Sequence, residues 1–169
     1  MRRVFCRVQC QRFEWLRGLP NLAVFSMSFW KMPSAVGRAA SLVAALQHCA
    51  NIKTLAFREY DDLTAAQLAE LLPRLPRLWE LFLAVLRIES LSFLAQPPMA
   101  TQLSSLRVAS CRQLPSSELR HVHTLRGLTR LDLRYSFTAP LGSDERSLLT
   151  PPSAVLPLLQ SFGYVQPDH

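Results

Sequence analysis

The sequence lacks the long hydrophobic run that a membrane-spanning helix needs. No stretch of about 18 uncharged apolar residues occurs, and the arginine-containing start has no continuous apolar run of the kind found in secretory signals. Cysteine is scarce, and no two cysteines form a Cys-x-x-Cys pair, so we expect no structural zinc site. These absences favour a reducing intracellular compartment, cytoplasmic or nuclear. The cysteines are Cys6, Cys10, Cys49 and Cys111.

Catalytic signatures are also missing. The sequence has no phosphate-binding glycine loop, no Gly-x-Ser-x-Gly and no His-Glu-x-x-His. His121 and His123 are two positions apart, and such residues point to different faces of a helix, so we do not expect them to share a metal ion. Cys111 has neither a histidine nor an acid placed beside it, which makes a buried structural role the better interpretation. We therefore predict a protein without catalytic activity and without a cofactor.

Lysine is nearly absent, although the chain is basic. The formal net charge is +7, and Lys31 and Lys53 are the two lysines among 19 basic residues. The arginines are dispersed apart from Arg2 and Arg3. A basic surface favours acidic partners or nucleic acid through long-range attraction, but dispersed charge alone does not choose between them.

Leucine is abundant and follows a frame that recurs six times. In "LRGLTRLDL", residues 125–133, the leucines are spaced by three, three and two. The second position of this frame recurs at intervals of 30, 26, 25, 25 and 31 residues. A generic helical protein does not produce six copies of one apolar frame by chance, so we interpret the frame as a structural repeat. Its second position is occupied by Leu22, Ile52, Leu78, Leu103, Leu128 and Leu159.

This pattern resembles the leucine-rich repeat family over residues 19–165. The resemblance implies an α/β solenoid, a right-handed β-α superhelix with short parallel strands on its concave face and helices on its convex face. Repeats of 25 to 31 residues with helical connections resemble in particular the ribonuclease-inhibitor-like and F-box-associated subclass. The family has Asn or Cys shortly after each strand, and here Cys111 fits that pattern. The other copies depart from it, so we expect an irregular solenoid; they carry Trp30, Tyr60, Leu86, Ser136 and Pro167.

The physical chemistry of the frame supports the same fold. Its last three positions, such as Leu131-Asp132-Leu133, alternate inward and outward as in a strand. One such strand is too short to be stable alone. Strands stacked in parallel satisfy one another's backbone groups and bury their leucines in a shared core.

The connecting segments predict helices. Ser34 is the expected cap of the first, Thr64 that of the second, and Ser116 or Ser117 that of a third. We predict a single domain over residues 1–169 with about six repeats in residues 19–165. Residues 1–18 are expected to form a partial repeat or N-terminal flank that begins with a strand, and residues 138–153 a loop insertion.

The outward-facing strand residues are the candidate functional site, because they line the concave face between the buried leucines. Arginine and aromatic residues anchor interfaces, since each combines a large area with a polar handle. Packing of Trp79 and Phe82 against each other or against a loop is the structural alternative. The predicted partner-binding residues are Arg58, Trp79, Phe82, Arg107, Asp132, Arg134 and Tyr135.

We therefore predict a non-catalytic protein–protein interaction module that binds a protein partner through its concave face, as a substrate-recognition or scaffold part of a larger complex. One alternative is binding of nucleic acid or another acidic surface through Arg58, Arg107 and Arg134, although Phe82 interrupts that row. A second is a truncated piece of a longer array without independent function, because end repeats without polar caps leave apolar surface open. The sequence leaves the oligomeric state open.

Overall fold

Seven short strands form one parallel sheet, in the order in which they occur in the chain. The computed structural model describes residues 2–7, 13–28, 37–111 and 113–165. Strands and helical segments alternate along it, as predicted for the solenoid. The strands are β1 (Arg2–Arg7), β2 (Leu22–Ser28), β3 (Thr54–Arg58), β4 (Glu80–Ala84), β5 (Ser105–Ala109), β6 (Arg130–Asp132) and β7 (Ser161–Gly163).

The strands pair so that equal positions of the repeat lie side by side. Leu55 of β3 lies opposite Leu81 of β4, which lies opposite Leu106 of β5. All three side chains are buried. The leucines of the frame therefore stack into a continuous row under the sheet, and the buried side chains from Phe13 to Leu159 form one hydrophobic core.

Helical segments connect the strands, and the longest one described, Arg38–Leu46, joins β2 to β3. It buries Ala39, Leu42 and Leu46, whose spacing of three and four places them on one face. Two further α-helices have seven residues each, and the other described segments are turns of three to five residues. The α-helices are α1 (Arg38–Leu46), α2 (Ala65–Leu71), α3 (Met99–Gln102), α4 (Leu119–Val122) and α5 (Ser143–Leu149). The 3-10 turns are Glu14–Gly18, Leu72–Arg74, Ser92–Ala95 and Ser116–Glu118.

The predicted cap of α2 is confirmed. Thr64 Oγ1 accepts a hydrogen bond from the Gln67 N–H at 3.3 Å, and Gln67 Oε1 accepts one from the Thr64 N–H at 2.9 Å. This reciprocal pair satisfies two N–H groups that the first turn of a helix leaves without partners. The other predicted cap that falls on described residues is wrong. Ser116 and Ser117 lie inside the 3-10 turn that precedes α4, and no side chain caps either segment.

The strand predicted at the start of residues 1–18 is confirmed as β1, which pairs in parallel with β2. Ser34 lies outside the described residues, and α1 begins after Gly37, whose φ is 82°. The segment 138–153 is not a loop throughout, because it contains α5. The Gly142 N–H before this helix donates to Glu145 Oε2 at 2.9 Å.

A residue with left-handed backbone follows each of four successive strands. The N–H of this residue donates to a carbonyl oxygen of the next repeat: the Val85 N–H to Ala109 at 2.9 Å, and the Ser110 N–H to Arg134 at 2.8 Å. The chain thus leaves each strand through the same joint. The four residues, with φ of 55° or 56°, are Glu59, Val85, Ser110 and Tyr135.

The position after this joint is the one where the family resemblance implies Asn or Cys. Its occupants in the described repeats are all buried: Tyr60, Leu86, Cys111 and Ser136. Ser136 Oγ donates to the Val108 carbonyl of the preceding repeat at 2.6 Å, and Cys111 Sγ to the equivalent Leu83 carbonyl at 4.0 Å. Serine therefore supplies in one repeat the hydrogen bond that cysteine supplies in the one before it, whereas leucine has no donor.

Candidate functional site

The face of the sheet opposite the buried leucines, which is the predicted concave face, forms an open groove of about 640 Å³. Strands β2 to β7 contribute side chains to its wall, because residues that alternate with the buried leucines face outward. One row of outward positions runs across all six strands in register. It consists of Ser26, Ala56, Phe82, Arg107, Asp132 and Gly163.

Phe82 lies between two guanidinium groups at the middle of this groove. The Cζ atom of Arg58 lies 4.6 Å from the centroid of the Phe82 ring, and that of Arg107 lies 5.0 Å from it. At these distances a ring attracts a cation through its quadrupole. Phe82 therefore joins the two arginines rather than interrupting their row, which gives an aromatic residue at an exposed strand position a role.

Asp132 of β6 forms ion pairs with two arginines. Its Oδ2 atom lies 3.0 Å from Arg107 Nε and 2.7 Å from Arg134 Nη2. Its Oδ1 atom accepts a further hydrogen bond from Arg134 Nε at 2.9 Å. The hydrogen bonds and charge of Asp132 raise the pKa of Arg134 above its ordinary value. The guanidinium of Arg134 thus donates to both carboxylate oxygens of Asp132, and this bidentate contact fixes the orientation of the two side chains.

Arg58, Phe82, Arg107, Asp132 and Arg134 form a connected set across β3 to β6, and we call this set the arginine–phenylalanine array. Gly163 of β7 gives the array room at its end. A Cβ atom on Gly163 would lie 3.4 Å from Asp132 Oδ1. The sequence predicted all five members of the array.

Trp79 and Tyr135 were predicted with these five residues but lie outside the groove wall. Trp79 precedes β4 and is 44% exposed, and its carbonyl oxygen accepts from the Ser105 N–H at 3.0 Å. Tyr135 is half-buried at the left-handed joint after β6. Neither aromatic side chain therefore takes part in the ion pairs and ring contacts described for the array.

Glu80 and Arg130 line the groove, although neither is among the predicted site residues. Both occupy the first position of their strands, one residue before a buried leucine. Glu80 Oε2 accepts from Thr54 Oγ1 at 3.0 Å. The repeat frame could have indicated both residues, because the strand positions before and after each inward leucine face outward.

The groove carries an excess of positive charge. Four arginines and two carboxylates line it: Arg58, Arg107, Arg130 and Arg134 against Glu80 and Asp132. Within the described ranges, neither Arg58 nor Arg130 forms an ion pair. The groove therefore attracts anionic groups and has guanidinium donors left to bind them.

Outside the groove, burial and local contacts determine the properties of Cys111, His121 and His123. Burial raises the pKa of the Cys111 thiol to about 11, so the reactive thiolate is scarce at neutral pH. His121 faces Glu118, with 3.7 Å between Nε2 and Oε2, whereas burial lowers the pKa of His123. Among the described residues, no group of three or more His, Cys, Asp or Glu side chains is arranged to hold a metal ion. In the same part of the chain, every helix is too short or too polar to cross a bilayer.

Comparison with known proteins bears on the fold. No protein-family model and no curated protein sequence matches the chain. Among solved structures, an internalin from Listeria monocytogenes, a leucine-rich repeat protein, aligns over 98% of this chain with a TM-score of 0.52 and 15% identity.

The chain has a leucine-rich repeat fold. It spans 48% of the internalin's length. At this identity the similarity shows the fold alone, so the ribonuclease-inhibitor-like and F-box-associated subclass stays a prediction.

Proposed function

We propose that this leucine-rich repeat chain is a non-catalytic protein-interaction module that binds a protein partner through its concave groove. The observation that carries the proposal is the arginine–phenylalanine array. Its side chains are not needed to fill the core, yet each is held by a neighbour: Arg58 and Arg107 by Phe82, and Arg134 by Asp132. Ordering these side chains in advance lowers the entropy lost when a partner binds.

The composition of the groove supports a protein partner. Arginine and aromatic side chains are the residue types that carry most binding energy at interfaces. Here they stand on a rigid parallel sheet, with small residues such as Ala56 and Ser105 between them. Such an alternation of protruding and small side chains provides pockets for the side chains of a partner.

The proposal extends to the subclass of the repeat and to the place of the protein in the cell. We place the chain in the helix-bearing subclass because α1 and α2 connect successive strands. We place it inside the cell, as a recognition or scaffold part of a larger complex, because its cysteines are scattered and form no Cys-x-x-Cys pair in the sequence.

Site-specific photo-crosslinking in cells of the source organism tests the proposal. A photoreactive phenylalanine analogue replaces Ser105, which lines the groove, or Ser92, which is exposed on a convex turn. We expect a crosslinked protein band with the probe at residue 105 and none with the probe at residue 92. Adding Arg107→Ala should remove the band. Equal crosslinking from both positions, or a band that Arg107→Ala leaves unchanged, contradicts the proposal.

A further inference from the structure

The arginine–phenylalanine array also indicates what kind of partner segment the groove takes. We propose that it binds an extended acidic segment of a protein, with one carboxylate bound by Arg58 and Arg107 at the edge of the Phe82 ring, because the edge of an aromatic ring is positive and its face is negative. This inference rests on the proposed function, because it names the chemistry of the partner at the same site.

The donors for this carboxylate are in place. Arg107 pairs with Asp132 through its Nε atom at 3.0 Å, while its Cζ atom lies 5.0 Å from the centroid of the Phe82 ring. Arg58 stacks on the same ring and forms no ion pair within the described residues. Two guanidinium groups against one ring thus present several N–H donors to one small region. A carboxylate accepts such donors at both of its oxygen atoms.

Arg130, which forms no ion pair with the described residues, sets a spacing for the segment. Arg130 lies on β6, two strands from Phe82 on β4. Neighbouring strands lie about 4.8 Å apart, and Arg130 is also two positions, about 6.6 Å, before Asp132, the residue in register with Phe82. The two backbone positions are therefore about 12 Å apart, which an extended chain with a rise of about 3.3 Å per residue spans in about three to four residues. Acidic residues at positions i and i+3 of an extended segment therefore match the Phe82 region and Arg130.

The two carboxylates of the groove favour a peptide over a nucleic acid. Glu80 and Asp132 stand among the four arginines, so the charge alternates in sign across the strands. A nucleic acid carries a phosphate at each nucleotide and would bring some of them against these carboxylates. A peptide carries its charges at discrete positions and can leave uncharged residues beside Glu80 and Asp132.

The direct test is fluorescence anisotropy with the labelled octapeptide Gly-Ser-Glu-Gly-Ser-Glu-Gly-Ser, in which the two glutamates are three residues apart. At about 50 mM salt, where exposed charges are weakly screened, we expect saturable binding. The peptide with both glutamates replaced by glutamine should bind at least about tenfold more weakly, as expected for loss of a charged hydrogen-bond acceptor. Absence of binding by the glutamate peptide overturns the inference.

Matched variants separate the array from general attraction to a basic chain. Arg58→Gln and Arg107→Gln should each weaken binding about tenfold, whereas Arg74→Gln, at an exposed site outside the groove, should change it less than about twofold. Phe82→Leu leaves the net charge unchanged but removes the ring, and we expect it to weaken binding severalfold. Equal effects of Arg74→Gln and Arg58→Gln, or no effect of Phe82→Leu, contradict the inference. Circular dichroism at rising temperature identifies variants that fail to fold, and Arg58→Lys then replaces Arg58→Gln, because it keeps the charge and loses the planar contact with the ring.

Two outcomes keep this inference distinct from the proposed function. A single-stranded DNA decamer that binds more tightly than the peptide, and loses affinity in the same variants, would make the partner a nucleic acid. If the peptide fails to bind while the probe at residue 105 still captures a protein, the interaction function stands and the acidic segment is wrong.

Discussion

Gly127 lies so close to α3 that a Cβ atom built on it would be 2.7 Å from the carbonyl oxygen of Thr101. That oxygen belongs to the backbone, so it cannot rotate away as a flexible side chain would. We expect Gly127→Ala to lower the free energy of unfolding by about 1–3 kcal/mol, the range for overpacking. Urea denaturation measures this change.

Gly18→Ala is the matched control for this substitution. No atom lies within 4 Å of a Cβ built on Gly18. Its free energy of unfolding should stay within about 0.5 kcal/mol of that of the unsubstituted chain. Equal losses of unfolding free energy from the two substitutions would show that the close approach to Thr101 is not the cause.

Val85 is the β-branched residue among the four left-handed joints, and its side chain is 47% exposed. A left-handed conformation costs an L-residue about 1–2 kcal/mol, and Asn tolerates it better than Val. Val85→Asn should therefore raise the melting temperature by about 2–4 °C, as about 1 kcal/mol does in a domain of this size. Val85→Thr remains β-branched, so it should give no rise. Differential scanning calorimetry of both variants tests the expectation, and a rise with Thr alone contradicts it.

Glu118 connects two repeats on the side away from the groove. Its Oε2 atom accepts from the Leu91 N–H at 2.7 Å and from Ser90 Oγ at 2.8 Å. Glu118→Ala leaves the buried N–H without an acceptor, which should cost about 1–3 kcal/mol of the free energy of unfolding. Glu118→Gln keeps an acceptor and should cost less. Glu89→Ala, at an exposed carboxylate, is the control; a loss equal to that of Glu118→Ala refutes the stated cause.

The same carboxylate makes stability depend on pH. Burial alone would raise the pKa of Glu118, but hydrogen bonds from Leu91 and Ser90 and the charges of His121 and Arg120 lower it below the ordinary 4.5. Folding thus favours the ionised form. Its contribution is complete above pH 4.5 and disappears as the pH falls through the lower pKa of the folded state. We expect the stability difference between the unsubstituted chain and Glu118→Gln, measured by urea denaturation, to shrink below pH 4.5. A difference that stays constant down to pH 3 would rule this out.

Cys111 should be protected from thiol reagents in the folded protein. It is 1% exposed, and burial raises its pKa to about 11. Iodoacetamide at pH 7.5 reacts with the thiolate, so alkylation of Cys111 should require unfolding. Peptide mass spectrometry after labelling in buffer and in guanidinium chloride reports this residue separately from the other cysteines. Full labelling of Cys111 in buffer within minutes would disprove the burial.

The sequence predicts the fold because one frame specifies both the strand and its register. Once Leu81 and Leu106 are assigned to the same position of the repeat, parallel pairing places Phe82 beside Arg107. The array follows from this alignment and from the alternation of strand side chains. The left-handed joint escaped prediction, because Glu59 and Val85 do not have the chemistry of glycine or asparagine.

Three other features of the structure were not predicted from the sequence: the burial of Glu118, the contact of Arg58 with Phe82, and the helix α5. Glu118 is separated in sequence by 27 residues from Leu91, whose N–H it accepts, so no local pattern indicates its burial. The stacking of Arg58 on Phe82 depends on the side-chain conformations of two strands, which a pattern of apolar positions does not specify. The helix α5 lies in a segment rich in proline and serine, where local composition favours a loop.

The left-handed joints have a consequence for how the chain can change in length. Glu59, Val85, Ser110 and Tyr135 share one backbone conformation, and the N–H of each donates to a carbonyl oxygen of the following repeat. The segment from Val85 to Ala109 therefore begins and ends at equivalent points of the backbone. Duplication or deletion of that whole segment would leave the strands on either side with matching geometry, whereas a change of a few residues within it would not. The repeat is thus the unit in which the groove can be lengthened or shortened.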